Sequence, residues 1–147
     1  MSYPSIFAFA LLASTLLTPP ASAEDVVRTP LPPEHPLIGT WRIELESVQC
    51  HETYNLRADG TSRVSSAEEV GESEFEISPE PSANGFYKWV DKVISDNGKP
   101  DCMGSVTEVG HVAINYVLLH PSGKMFLLCL EENVTKCIGP FVRHEDI

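Results

Sequence analysis

The sequence predicts an all-β domain, an antiparallel up-and-down meander of seven or eight short strands. Apolar and polar residues alternate over several stretches, which is the pattern of strands with one buried face. Tight-turn sequences separate these stretches, and no internal repeat or heptad pattern is visible. Such a meander closes as a barrel or stacks as a sandwich, and closure as a barrel leaves no edge strand exposed.

The first two strands have the clearest pattern. Apolar Trp41, Ile43 and Leu45 alternate with charged residues, and apolar and polar residues alternate again over 54–58. The sequence Ala58-Asp59-Gly60-Thr61 then predicts a tight turn, because glycine adopts positive φ without steric cost.

The middle of the chain supplies two more strands and a loop. Thr61–Val70 predicts a third, polar strand, with Gly71 as a break or bulge. Phe75 and Ile77 alternate with glutamates and mark a fourth strand. A loop rich in Pro, Ser, Asn and Gly follows over Pro79–Gly85.

Residues 86–94 fit two secondary structures. Phe86, Trp89, Val90 and Val93 are spaced as a helical stripe, but aromatic and β-branched residues also suit a strand. Because the flanking segments are strand-like, we favour the strand.

The last third of the chain predicts a hairpin and a final strand. His111–His120 is a strand, and Pro121-Ser122-Gly123 turns the chain back. Lys124–Glu131 is its partner, with an almost continuous apolar run that indicates burial on both sides. Val134–Arg143 supplies the last strand.

The N-terminal residues predict export. Residues 1–23 have the features of a signal peptide, because Ser5–Leu17 is mostly apolar and Ala21-Ser22-Ala23 is a cleavage site of small residues. The apolar stretch is shorter than the roughly 20 residues of a membrane-spanning helix, and an uncleaved anchor is the alternative. We therefore expect a secreted or periplasmic protein with no membrane span in its mature chain.

Two segments follow the signal peptide. Residues 24–36 form a Pro-rich leader, and residues 37–147 form the β domain. Prolines favour extended, polyproline-like backbone. The leader is therefore interpreted as a disordered linker, with a stiff arm that docks on another surface as the alternative.

The charge of the chain excludes one class of partner. Its 147 residues include 21 acidic and 10 basic side chains, which gives a formal net charge of −11. Nucleic-acid binding depends on an excess of Lys and Arg, so a nucleic-acid binder is disfavoured. The acidity favours solubility and would attract a basic partner.

The four cysteines predict two disulfides. Cys50, Cys102, Cys129 and Cys137 all lie in the β domain, and an even count is typical of small exported proteins. Metal ligands or a thiol nucleophile are the alternatives, but the chain has no Cys-x-x-Cys and no pair at zinc-site spacing. The sequence leaves all three pairings open.

Catalytic motifs are missing from the sequence. It contains no Gly-x-Ser-x-Gly, His-Glu-x-x-His or phosphate loop. Cys50-His51-Glu52 places a thiol beside an imidazole, but neighbours on a strand point to opposite faces. Glu72, Glu74 and Glu76 share one face, which we interpret as the solvated outside of a strand. We therefore expect no enzyme activity, no cofactor and no metal site.

Three features resemble those of lipocalin-like, or calycin, barrels. They are Gly39-Thr40-Trp41 on the first strand, the Asp59-Gly60-Thr61 hairpin and Arg143 on the last strand. The resemblance implies a small closed barrel whose floor carries Trp41, with Arg143 stacked over it in a cation–π contact. The mature chain is shorter than an ordinary lipocalin, so a filled barrel is the alternative to one with a full ligand cavity.

The implied barrel topology also implies a disulfide pairing. With the last strand antiparallel beside the first, Cys137 approaches Cys50, and the hairpin before it brings Cys129 toward Cys102. The expected disulfides are therefore Cys50–Cys137 and Cys102–Cys129.

The resemblance implies an exported, non-enzymatic binding protein that holds a small apolar molecule at the open end of the barrel. Aromatic side chains are the candidates for the lining, although each also suits an ordinary core position. They are Tyr54, Tyr87, Trp89, Tyr116 and Phe126. The alternative is an inhibitor of a secreted protease or lysozyme that acts through its N-terminal arm or loops. Residues 24–36 resemble in position the arm that precedes the barrel of inhibitors of secreted metalloproteases.

Overall fold

The chain folds as a closed antiparallel barrel of eight strands. The structure is a computed structural model that describes residues 26–145, and the predicted signal peptide, residues 1–23, lies outside the described residues. Each strand pairs with the next along the chain, and the last pairs with the first. The strands are β1 Gly39–Leu45, β2 Cys50–Leu56, β3 Thr61–Ser66, β4 Glu69–Ile77, β5 Phe86–Asp96, β6 Val112–Leu119, β7 Met125–Cys129 and β8 Cys137–Arg143. The predicted all-β meander is confirmed, and it forms a barrel rather than a sandwich.

Helical structure in this part of the chain is limited to short turns. Glu46–Val48 and Val134–Lys136 are 3-10 helices of three residues each. Within residues 26–145, no helix has the length and apolar character needed to cross a membrane.

The third strand ends earlier than predicted. β3 stops at Ser66, the chain turns at Ala67 with φ at 51°, and Glu69 then pairs with Ser66. The expectation of one strand over Thr61–Val70 is therefore wrong, and Gly71, the expected break, lies inside β4. The turn contains no Gly, Pro, Asn or Asp, so the usual sequence markers of a turn are missing.

Residues 86–94 belong to a strand, as favoured from the sequence. β5 pairs with β4 on one side and with β6 on the other. The register shifts between Glu72 and Ser73 of β4, so that Ser73 pairs with Val93 while Glu72 pairs with Ser95. The extra residue on β5 is Ile94, and this bulge keeps Asp96 on the inner face of the barrel.

Aromatic side chains form a large part of the buried core. Trp41, Phe126 and Phe141 are almost fully buried. The ring centroids of Trp41 and Phe126 are 4.7 Å apart, and those of Phe126 and Phe141 are 4.8 Å apart in a stacked pair. We call this group the aromatic layer. On β1, Trp41 and Ile43 face inward and alternate with less buried residues, as predicted.

The leader packs against the barrel over its described part. Thr29 N donates to Phe75 O at 3.1 Å, and Leu31 N donates to Ala58 O at 2.9 Å. The Leu31 side chain belongs to the hydrophobic core. The expectation of a disordered linker is therefore wrong for residues 26–36. Extended backbone forms no internal hydrogen bonds, so its N–H groups are free to bond to the barrel.

The disulfide pairing differs from the expected one. The disulfides are Cys50–Cys102 and Cys129–Cys137, so the expected pairs Cys50–Cys137 and Cys102–Cys129 are wrong. The ladder between β1 and β8 covers two residue pairs only. The start of β8 therefore stays beside β7, where Cys137 is the direct partner of Cys129. Cys102 lies in the long β5–β6 loop, which folds back to β2 and meets Cys50.

Candidate functional site

Trp41 and Arg143 close one end of the barrel, which we call the floor end. Arg143 Cζ lies 4.1 Å from the centroid of the Trp41 ring. The indole Nε1 donates to Leu37 O at 2.9 Å. The guanidinium donates to the carbonyls of Pro36 at 2.6 Å and Ile38 at 2.9 Å. The planar cation therefore joins the leader, β1 and β8 at one point.

Gly39 makes this arrangement possible. Its φ is 131°, and a Cβ atom at this position would lie 2.5 Å from Arg143 Nη1. Any other residue would displace the guanidinium from the Trp41 ring. The close approach of Arg143 therefore explains why glycine occupies the first position of Gly39-Thr40-Trp41 in this chain.

The five aromatic residues predicted to line a site do not converge. Tyr54 lines an interior cavity, and Trp89 lies beside it with the two ring centroids 6.5 Å apart. Phe126 belongs to the aromatic layer. Tyr87 lies toward the floor end, with its ring 5.2 Å from that of His35.

Tyr116 is separated from the other four. On β6 the neighbouring residue Val117 is fully buried, so Tyr116 faces outward. Its cross-strand partners are Lys88 and Cys129. Of the predicted set, Tyr54 therefore lines the interior cavity, and Trp89 packs beside Tyr54 outside the lining.

The end opposite the floor, which we call the open end, holds a polar cavity of about 190 Å³. Five carboxylate side chains line it, together with Tyr54, two Ser hydroxyls, one Thr hydroxyl and the apolar side chains of Val64 and Val93. The five carboxylates are those of Glu52, Glu69, Asp91, Asp96 and Asp101. Across the described ranges of the chain, no Lys, Arg or His side chain contributes to this lining. We call it the acidic cavity.

Strand alternation places these carboxylates inside. Asp91 follows Trp89 by two residues on β5, and both face inward. The bulge at Ile94 returns Asp96 to the inner face. Gly71 on β4 leaves room for it, because a Cβ there would lie 3.2 Å from Asp96 Oδ2.

Most of the five carboxylates accept hydrogen bonds from the protein itself. Asp96 Oδ1 accepts from the backbone N–H of Gly98 at 2.7 Å. Glu52 accepts hydrogen bonds from Tyr54 Oη at 2.7 Å and from Ser66 Oγ at 2.8 Å. Asp101 accepts from the backbone N–H groups of Met103 at 2.9 Å and Ser105 at 2.8 Å. These bonds fix carboxylates at the rim of the acidic cavity. The Cys50–Cys102 disulfide and a hydrogen bond from Cys102 N to Ser66 Oγ at 2.9 Å join the β5–β6 loop to the barrel there.

Asp91 is the most perturbed of the acids. Burial raises the pKa of Asp91 to about 6. The side chains of Ser73, Trp89 and Ser62 face the carboxylate and limit this rise in its pKa. Even so, none of the described residues makes a well-formed hydrogen bond to Asp91 Oδ1, Ser62 Oγ or Trp89 Nε1, and all three atoms are buried. The protein therefore leaves polar groups around Asp91 incompletely paired.

Glu69 and Asp96 form a second acidic pair in the cavity. Burial raises the pKa of Glu69, and the negative charges of Asp96 and Asp101 raise it further, against a hydrogen bond from Thr107 that lowers it. Asp96 Oδ2 is buried, and within residues 26–145 it has no hydrogen-bond partner. Two carboxyl groups this close compete for ionisation.

These acids do not stand out as site residues in the sequence. The run Tyr87-Lys88-Trp89-Val90-Asp91 does indicate that Asp91 points inward. On a strand, Asp91 lies on the same face as the aromatic residues Tyr87 and Trp89. Asp96 carried no such signal, because the bulge that turns it inward depends on β4. Glu72, Glu74 and Glu76 face outward, as predicted.

Neither similarity to known proteins nor a metal-binding group of side chains indicates a function for the described residues. No family model, curated protein or solved structure matches this chain. In the part of the chain that the structure describes, no three His, Cys, Asp or Glu side chains are grouped as a metal ion would require.

Proposed function

We propose that this protein is an exported, non-enzymatic binding protein that holds a small molecule in the acidic cavity of a lipocalin-like barrel. The observation that carries this proposal is the contrast between the two ends of the barrel. The floor end is filled by the aromatic layer and covered by the leader, whereas the open end contains a cavity of about 190 Å³. Small-molecule sites typically occupy the mouths of β-barrels.

The size and polarity of the cavity indicate the kind of ligand. Its volume is below the roughly 300–1,000 Å³ that is typical of drug-sized ligands. A metabolite-sized polar molecule fits this space better than the apolar ligand expected from the sequence, because burial of carboxylates against apolar groups costs free energy. An apolar depression of about 440 Å³ does exist, but it lies among residues of β6, β7 and Pro140 rather than at the open end.

Export is part of the proposal. Two disulfides suit an oxidising compartment. The alternative function, an enzyme inhibitor acting through an N-terminal arm, has less support. Leu31 is buried in the core and Arg28 pairs with Asp59 at 3.2 Å, so this part of the arm is engaged by the barrel.

A cavity-filling variant tests the proposed function. Ser73 is buried and lines the acidic cavity, so Ser73→Leu is expected to fill it. Ser95→Leu is the matched control, because Ser95 is exposed on the same sheet. Native mass spectrometry of protein purified from the producing cell should show a bound small molecule in wild type and in Ser95→Leu, and none in Ser73→Leu. Equal occupancy in all three proteins, or none in wild type, would contradict the proposal.

A further inference from the structure

We propose that the ligand of the acidic cavity is an organic cation, with an ammonium or amidinium group, and that Asp91 is its counter-ion. This inference rests on the proposed function, since it assigns the chemical class of the molecule held in that same cavity.

The negative charges of the cavity favour a cationic ligand. Five carboxylates converge there, and no basic side chain within residues 26–145 lines the same space. Removing an unpaired carboxylate from water is costly, and an opposite charge with hydrogen-bond donors offsets that cost. Arg57 and Arg63 pair with Glu72 on the outer face, at 2.9 and 3.2 Å. His111 acts electrostatically on Asp91 but does not line the cavity.

Unpaired buried atoms locate the binding point within the cavity. Glu52 and Asp101 already accept hydrogen bonds from the protein, and Asp96 Oδ1 accepts one from Gly98 N at 2.7 Å. In contrast, Asp91 Oδ1 and the second oxygen of Asp96, Oδ2, are buried and receive no well-formed hydrogen bond from any described residue. Each is an acceptor without a donor. An ammonium group has three N–H donors and no acceptor, which complements them.

Two nearly inaccessible groups beside Asp91 support the same point. Ser62 is 0% exposed and Trp89 is 4% exposed. Ser62 Oγ and Trp89 Nε1 lie behind the cavity lining and face the Asp91 carboxylate, yet neither atom makes a well-formed hydrogen bond with a described residue. The indole N–H is a donor only, so its partner would be the Asp91 carboxylate and not a cationic ligand. Buried polar groups in proteins are almost always paired, so these atoms mark Asp91 as the point in the cavity where pairing is incomplete.

The walls of the cavity favour an organic cation over a bare metal ion. Its volume of about 190 Å³ is several times the roughly 30 Å³ that one water molecule occupies. Tyr54, Val64 and Val93 line the cavity with carbon surface rather than oxygen ligands. A calcium ion takes six to eight oxygens at about 2.3–2.6 Å, whereas a cationic nitrogen on an organic body uses both the carboxylate and this carbon surface.

Titration of the purified protein with small cations tests this assignment. The probes are methylammonium, benzylammonium and benzamidinium chlorides, with benzyl alcohol as the neutral counterpart of benzylammonium and calcium chloride as the metal. Calorimetry and Trp fluorescence at about pH 7.5 report binding. We expect at least one organic cation to bind about tenfold or more tightly than benzyl alcohol, since a buried charge pair contributes more than a neutral contact.

Matched variants assign the effect to the cavity. Asp91→Asn should weaken binding of that organic cation about tenfold or more, which corresponds to the loss of one buried charge partner. Asp96→Asn is a second variant that keeps the test valid if Asp91→Asn does not fold. Glu76→Gln removes the same charge from the exposed outer face of β4 and should leave the affinity unchanged.

The possible outcomes separate the inference from the proposed function. If benzyl alcohol binds as tightly as benzylammonium and Ser73→Leu abolishes both, the organic-cation inference fails while the binding function stands. Binding of calcium alone, lost in Asp91→Asn, would also overturn the inference in favour of a metal site. If no probe binds and wild type carries no copurified molecule, both proposals fail.

Discussion

Arg143 connects three segments through one planar group. It covers the Trp41 ring of β1 and donates to the carbonyl oxygens of Pro36 in the leader, of Ile38 just before β1, and of Gly123 in the β6–β7 turn at 3.2 Å. A lysine ammonium keeps the charge but lacks the fixed fork of donors and the flat face. The chemistry of this position therefore depends on guanidinium geometry more than on charge.

We expect Arg143→Lys to lower the free energy of unfolding by about 2 kcal/mol, because carbonyl groups at the floor end lose their donors. Urea denaturation measures this loss of stability, provided that the variant and wild type have the same m value. Arg42→Lys is the control, since Arg42 pairs with Glu44 on the exposed side of β1. Exposed pairs contribute between about 0 and 1 kcal/mol, so its effect should be small. Equal losses in the two variants would contradict the role given to Arg143.

Asp91 makes the stability of the barrel depend on pH. The pKa of Asp91 rises from 3.8 to about 6 on folding, so the folded state binds this proton more tightly than the unfolded state. The resulting stabilisation is complete below about pH 4 and is lost as the pH rises through about 6. Tyr54 and His111 are titratable groups that act on Asp91, and both remain in any Asp91 variant.

In the absence of ligand, Asp91→Asn is therefore expected to be more stable than wild type at about pH 7.5. The gain is at most about 3 kcal/mol, from a shift of roughly two pKa units. Below about pH 4 the two proteins should unfold with similar free energies. Urea denaturation across this pH range tests the prediction, and a difference that does not change with pH would refute it.

The strands and loops are joined by two disulfides of different reach. Cys50–Cys102 spans 52 residues and fastens the β5–β6 loop to β2, whereas Cys129–Cys137 spans 8 residues within the β7–β8 hairpin. A cross-link over a longer segment removes more conformational entropy from the unfolded chain. The first disulfide also holds the loop that carries Asp101 at the cavity rim.

Replacement of each cysteine pair by serine should show this difference. We expect the Cys50/Cys102 variant to lose about 4 kcal/mol and the Cys129/Cys137 variant about 2.5 kcal/mol, by the loop-entropy relation. Denaturation under oxidising conditions measures both, and peptide mapping without reduction identifies the native pairs. Recovery of a peptide joining Cys50 to Cys137 would contradict the pairing described above.

The acidic side chains of the whole molecule fall into two groups. Most acids lie outside, in keeping with a net charge of −11, but five line the acidic cavity. The expectation that apolar residues fill the interior and acids cover the outside therefore holds only for the half of the barrel at the floor end. The leader covers that half, so the remaining polar opening is at the other end.

The proposed export depends on the N-terminal segment that precedes the barrel. If residues 1–23 are removed on export, the protein isolated from its producing cell should begin at Glu24, because Ala21-Ser22-Ala23 precedes that residue. N-terminal sequencing and intact mass together test the cleavage site and the presence of two disulfides. A mature chain that begins at Met1, or one with four free thiols, would contradict the export proposal.

Local patterns were sufficient to predict most of the strands. Alternation around Trp41, the Asp59-Gly60 turn and the aromatic run after Gly85 each depend on residues within a few positions of one another. Strand pairing with the nearest neighbour follows from such short turns, so the meander could be predicted. The β3–β4 turn could not be predicted, because Ala67 adopts its left-handed backbone without a turn residue.

The composition and alternation of this chain were enough to establish a β meander with two disulfides, because those properties depend on neighbours along the chain. The pairing of the cysteines, the docking of the leader and the inward position of Asp96 required the folded barrel. Each depends on contacts between distant segments: the short β1–β8 ladder, the extended N–H groups of the leader and a bulge set by β4. Closure of the ring brings these segments together, and no local pattern specifies which of them will meet.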